Sequence, residues 1–352
     1  MHKRRSCIVP ILTWLVAMVP LGAHAATFCV NSAASLQAAL TTSVNNGQND
    51  LIAIVAGNYT VVPGGFFYSA DEANSITIIG GYSAGCMQLT TARTTLNGNG
   101  LYRVMTIVIG SSSTAASVNI ERITFIDGKA TNDVGGGLEI SALNGDVYLE
   151  ANRFLLNHAD NNAGGLYLGT ASGSLTMRNN LFFLNDGREF GAAQLLTGSS
   201  DAYVTGNTVV DNTANSTLPP PHVGGLEAIG ASGSHLWLSN NILWNNNAGG
   251  AVDLLTTRVF TAFNNDIGIR TGTAPDAQSQ NNLSVDPGFA TCSGLLCSNF
   301  NLVRASALVD AGYDTPPGGA GAFDLEGKPR KVGPHVDIGA FEEDVLFANG
   351  FD

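Results

Sequence analysis

Charge is scarce in this sequence of 352 residues, and positive charge is scarcest: charged residues make up 12%, Lys and Arg together number 16, and the formal net charge is −12. That balance argues against a nucleic-acid partner, because binding to phosphates depends on clustered Lys and Arg. Long apolar runs are missing too, apart from one at the N-terminus. There His2, Lys3, Arg4 and Arg5 precede an apolar stretch from Cys7 to Leu21, broken by Pro10 and Pro20 and followed by Ala23-His24-Ala25. The stretch is shorter than the roughly 20 residues a membrane helix needs. It reads as a secretory signal over residues 1–25, so the mature chain is expected to be secreted or held at the cell surface, without spanning a membrane. Histidine is sparse, and none stands at ligand spacing beside a cysteine pair, so no metal site is expected there. Of the five cysteines, four outlast the signal. An even number suits an oxidising compartment and permits three pairings, of which Cys29 with Cys86 and Cys292 with Cys297 is favoured.

What the sequence has in plenty is glycine, 42 residues, within a composition that is 44% hydrophobic. Low charge with many turn-forming residues predicts short strands and tight bends. A tetrad, apolar-x-x-Asn, recurs as Phe154 to Asn157, Phe182 to Asn185, Val209 to Asn212 and Leu243 to Asn246, at intervals of 28, 27 and 34 residues. The longest interval holds Ser216 to His222, an insertion that a coil can push outward. A fixed period of this size signals an array.

Two residues before each tetrad stands Asn152, Asn180, Asn207 or Asn241, and Asn265 continues the series. Asparagine tolerates left-handed backbone and bonds to neighbouring backbone, so a stack at a bend is expected. Further back, Val118, Val147, Leu175, Ala202, Leu236 and Phe260 alternate with Ile120, Leu149, Met177, Val204, Leu238 and Ala262 as the inward face of a strand. A glycine pair or its substitute, such as Gly136-Gly137 and Gly164-Gly165, opens another strand in each coil. These features predict an all-β fold, a right-handed parallel β-helix over 26–290, with Ser35 to Leu40 in a short capping helix. An irregular C-terminal cap is expected over 291–343, followed by a tail over 344–352.

The Gly-Gly-apolar and Phe-x-x-Asn signals resemble the right-handed β-helix repeats of the pectin-lyase-like superfamily, over roughly Ala115 to Arg270. Asp324-Leu-Glu-Gly-Lys-Pro-Arg330 followed by Val336-Asp-Ile-Gly-Ala-Phe-Glu342 resembles the choice-of-anchor Q domain of bacterial exported β-helix proteins. The resemblance implies export and a bacterial surface. It does not extend to catalytic residues: the Arg-Pro pattern of pectate lyases and the Asn-Thr-Asp, Asp-Asp, His-Gly series of polygalacturonases are both lacking.

Alternation then places candidate surface residues. One outward row holds Asn119, Tyr148, Thr176, Tyr203, Trp237 and Thr261, whose aromatics could stack on sugar faces. A second row holds Glu139, Tyr167, Gln194, Glu227 and Asp253. Its last two carboxylates are expected about one coil apart, near 5 Å, as an acid/base pair or as hard ligands for calcium. Arg188 is the candidate base for elimination chemistry. The favoured function is a non-catalytic, adhesin-like protein that binds extracellular polysaccharide or a cell-surface glycan through Tyr148, Tyr203, Trp237 and Tyr167. The alternative is a polysaccharide lyase or glycoside hydrolase using Glu139, Glu227, Asp253 or Arg188, and no organic cofactor is expected in either case.

Overall fold

The computed structural model describes residues 25–110, 116–216, 222–231, 233–246, 252–293 and 296–343. Residues 1–24 of the predicted signal segment 1–25, and the tail 344–352, lie outside the described residues.

Each coil contributes one strand to each of three long parallel sheets, as the repeat predicts. The first sheet stacks nine strands, from Ala26–Val30 to Phe260–Phe263. The second and third stack eight each, from Gly57–Thr60 to Asp266–Ile267 and from Phe66–Ala70 to Arg270–Gly272. Two-residue strands such as His158–Ala159 form a small fourth sheet at one corner. The chain is therefore a right-handed parallel β-helix whose interior is a continuous apolar column. Leu149, Met177 and Leu238 are fully buried in it. Phe125, Phe154 and Phe182 stack coil on coil, with ring centroids 5.1 and 4.5 Å apart.

The two corners flanking the second sheet explain the asparagines. The residue before each ladder asparagine takes a left-handed backbone, as at Asn179 (φ 54°), Asn240 (57°) and Asn264 (52°). The following asparagine turns inward and bonds to the next coil: Asn180 Nδ2 donates to Asn207 Oδ1, and Asn207 Nδ2 to Asn241 Oδ1, both at 2.9 Å. This ladder runs on through Asn265 to Asn282. A second ladder at the other corner uses the tetrad asparagines Asn157, Asn185, Asn212 and Asn246, a role not read from the sequence. Burial obliges every amide in both stacks to find a partner, and each finds it one coil away. The glycine pairs answer a different need. A Cβ on Gly136 would overlap the carbonyl of His158, so only glycine lets the backbone pass there.

Helix α1 (Ala33–Ser43) covers the front end, begun by a capping box between Ser32 and Ser35. The Cys29–Cys86 disulfide ties the strand Ala26–Val30 to the turn after Ile76–Tyr82, the third strand of the first sheet. Cys292 and Cys297 face each other across an antiparallel hairpin, but their side chains lie outside the described set. No helix among the described residues is long and apolar enough to cross a membrane.

The C-terminal segment does not close the back end, where the sequence suggested a terminal cover. That end carries a partial turn instead, in which Gln280 and Leu283 bridge to Phe263 and Asp266. The residues after the hairpin run forward along the outside of the corner between the first and second sheets, as a lateral strap. Asn264 Nδ2 donates to Ala311 O (2.8 Å), Asn240 Nδ2 to Tyr313 O (2.9 Å) and Asn179 Nδ2 to Ala320 O (3.0 Å). Farther forward, Arg93 reaches Leu325 O. In each of these three Asn-Asn doublets one amide thus builds the ladder and the other holds the strap. Leu308, Leu325, Ile338 and Phe341 cover Leu181, Val210 and Ile242, outward residues of the second sheet that would otherwise meet water.

The strap is braced by its own buried charges. Arg330 pairs with Glu342 at 2.5 Å and donates to the carbonyls of Asp337 and Gly339. Asp324 accepts from the backbone of Glu326, Lys328 and Glu342, and Asp337 from that of Asp310 and Glu343. Here the two C-terminal motifs serve architecture.

Candidate functional site

The first sheet presents two outward rows in strict register. One runs Asn119, Tyr148, Thr176, Tyr203, Trp237 and Thr261, as expected. The other, two residues on, runs Glu121, Glu150, Arg178, Thr205 and Ser239. The strap passes beside this second row and walls off a groove of about 620 Å³, lined by Glu121, Arg122, Glu150 and Arg178 on the helix and by Phe323 and Glu326 on the strap. A smaller hollow between Asn119, Tyr148, Thr176 and the same two glutamates adjoins it.

Apolar and charged groups share this groove. Tyr148 is 40% exposed beside it, while Phe323 (57%) and Leu89 (48%) form its lips. Glu150 pairs with Arg178 at 2.6 Å. Glu121 accepts from Asn119 Nδ2 at 2.8 Å, and burial is the main force raising its proton affinity, with Glu150 adding to it. Arg122 reaches the Thr90 carbonyl. Arg93, beneath the strap, is held to about 9 by burial and by repulsion from Arg153 and Arg122.

The aromatic candidates are divided by the structure. Tyr148 stands open, but the strap glycine Gly318 lies so close to Tyr203 that a Cβ there would meet its side chain at 2.5 Å. Trp237 packs between His235 and Phe263, with centroids 4.4 and 6.5 Å away. Tyr167 belongs to the third sheet, remote in register from the other three.

The carboxylates picked out on the third sheet are otherwise engaged. Glu139 pairs with Arg103 at 2.5 Å, and Arg103 also holds Asp133; burial raises the Glu139 proton affinity against that pull. Glu227 is 4% exposed and accepts from Gln194 Nε2 at 2.5 Å, and burial pushes it up to about 7. The expected Glu227–Asp253 pair does not form. A register shift after Val223 sets Leu255, not Asp253, beside Glu227. Asp253 turns inward and ends the second amide ladder, accepting from Asn246 N and Nδ2 and from Ile269 N. A carboxylate suits that end because it accepts twice and needs no further acceptor.

Arg188 lies at the opposite corner, 3.8 Å from Glu189 and beside a hollow that also holds His158. His158 bridges Asp160 and Asp186, which together raise its proton affinity although burial opposes them. Among the described residues, no group of three or more His, Cys, Asp or Glu side chains is placed to hold a metal ion.

Sequence reasoning thus passed over Glu121, Glu150 and Arg178 as site residues. Their signal was position: each stands one residue past an inward Ile120, Leu149 or Met177. Only the strap turns that stretch of surface into a groove.

No family model matches the chain, and no curated protein is detectably similar to it. Among solved structures, the chain is similar to that of the pectate lyase Pel9A, at 14% identity with a TM-score of 0.38, over 92% of this chain and 98% of that one.

Proposed function

We propose that the chain is an exported bacterial β-helix protein that binds an extracellular polysaccharide or cell-surface glycan in the groove between the first sheet and the strap. The observation that carries this reading is the mixed lining of that groove. Exposed Tyr148, Phe323 and Leu89 offer apolar faces next to Glu121, Glu150, Arg122 and Arg178, which offer hydrogen bonds in both senses. Sugars present the same combination, an apolar ring face edged by hydroxyls. A groove open to solvent also admits a long chain, whereas an enclosed cavity would not.

Export is supported by the N-terminal signal and by a disulfide that needs an oxidising compartment. The likeness of 291–343 to the choice-of-anchor Q domain supports a cell-surface location. Binding through this groove is favoured over chemistry at Glu139, Glu227, Asp253 or Arg188, each of which is committed to contacts elsewhere. Affinity electrophoresis against a panel of neutral and acidic polysaccharides tests the reading. Tyr148→Ala and Phe323→Ala are each expected to weaken retardation by up to about tenfold, the worth of one aromatic contact. Binding that survives both substitutions, or disappears in Tyr167→Ala instead, refutes this location.

A further inference from the structure

We propose that Glu121 and Glu150 hydrolyse a glycosidic bond of the glycan in this groove, Glu121 as general acid and Glu150 as nucleophile; the inference rests on the glycan-binding reading above. The two residues are direct partners in the parallel register of the first sheet, which sets their backbones about 4.8 Å apart. Both side chains point outward and line the groove. That register leaves room for the two carboxyls to stand at the roughly 5–5.5 Å used for double displacement.

Their surroundings separate the two roles. Glu121 receives the neutral amide of Asn119, and among the described residues Arg122 and Arg178 act on it through charge without an ion-pair contact. Arg178 grips one oxygen of Glu150 and orients the other. Gly321 of the strap, at φ 85°, passes so near that a Cβ there would stand 2.9 Å from Glu150 Oε1. The strap backbone therefore passes directly beside that oxygen, where a residue with a side chain would not fit. Neighbouring carboxyls in unlike environments are how proton donor and nucleophile are told apart.

The step balances without a metal or redox partner. A carboxylate oxygen of Glu150 bonds to the anomeric carbon as the glycosidic C–O bond breaks, and the proton of Glu121 passes to the departing oxygen. Glu121, now a carboxylate, takes a proton from water, whose oxygen displaces Glu150 from the anomeric carbon. One water is consumed, one reducing end appears and the anomeric configuration is retained.

The test uses the whole exported chain with its disulfide intact, incubated with polygalacturonate, alginate, xylan, laminarin and dextran. Binding is read by affinity electrophoresis, reducing ends by colorimetry, and unsaturated ends by ultraviolet absorbance. The expected result is reducing ends from a glycan that binds, with retained configuration by proton NMR. Glu121→Gln and Glu150→Gln should each cut the rate by about 10²–10⁴-fold, while any loss of binding stays within about tenfold. Binding without cleavage, unsaturated ends, inverted products, or full activity in Glu121→Gln overturns the proposal and leaves the glycan-binding reading standing. Failure to bind any of the five overturns both.

Discussion

Glu227 is a carboxyl that the native state prefers to keep protonated, and replacing it with glutamine isolates that preference. It is 4% exposed, its polar contact among the described residues is the Gln194 amide, and burial pushes its pKa from 4.5 to about 7. In the unfolded chain the group ionises near its ordinary value. Between these two values the folded protein holds a proton that the unfolded chain has released, so stability falls as pH rises through this window. Below pH 4.5 the contribution is fully present, and above about pH 7 it is gone. The shift corresponds to about 3 kcal/mol. Glutamine is isosteric with the protonated acid and cannot ionise, so Glu227→Gln should match the parent near pH 4 and exceed it by about 3 kcal/mol at pH 8. Urea denaturation of both proteins at four pH values measures this. The difference between them is the observable, because Asp266, raised by burial to about 6, and Glu342, raised mainly by burial to about 7, slope the same way in each. A constant difference across pH, or a variant less stable at pH 8, refutes the assignment of a buried, proton-holding Glu227.

Two further outcomes test the architecture. Asn207→Ala removes the amide that accepts from Asn180 and donates to Met177 O and Asn241 Oδ1, leaving buried groups unpaired. It should cost about 3–5 kcal/mol in chemical denaturation, and a loss below about 1 kcal/mol would show that the ladder does not bind coil to coil. Glu342→Gln takes away the ion-pair partner of the buried Arg330 and leaves only the more distant Asp337 and Asp324 to offset its charge. It should release the strap to limited proteolysis while the β-sheet circular dichroism of the coils survives; simultaneous loss of both would mean that strap and coils fold as one unit.

Most of the solenoid was legible in the sequence because it is built from near-neighbour repetition. Leu149, Met177 and Leu238 face inward as their period-two alternation requires, and the Asn152 series stacks as its spacing implies. The tetrad asparagines were visible too, yet their ladder was missed because a helix corner and a strand end read alike in one dimension. Asp253 was misplaced for a related reason. A one-residue bulge between Val223 and Leu226 helps to set Leu226 beside Leu254, where counting from glycine to glycine had set it beside Val252, and such counting cannot detect a bulge.

The strap was a different kind of problem. Two clues to it lay in plain view: the outward tetrad positions Leu155, Phe183, Val210 and Trp244 are too apolar for a water-facing strand, and Asn179, Asn240 and Asn264 double the ladder asparagine. Neither says what covers them.

The sequence by itself determined the coil, its period and its inward rows, because each depends on residues one turn apart that repeat the same local choice. Where the C-terminal segment lies, and hence that Glu121, Glu150 and Phe323 share one groove, was decided only by tertiary structure. Contacts between residues about 140 to 230 positions apart arise from matching an apolar face to a particular cover, and such matching leaves no period to read.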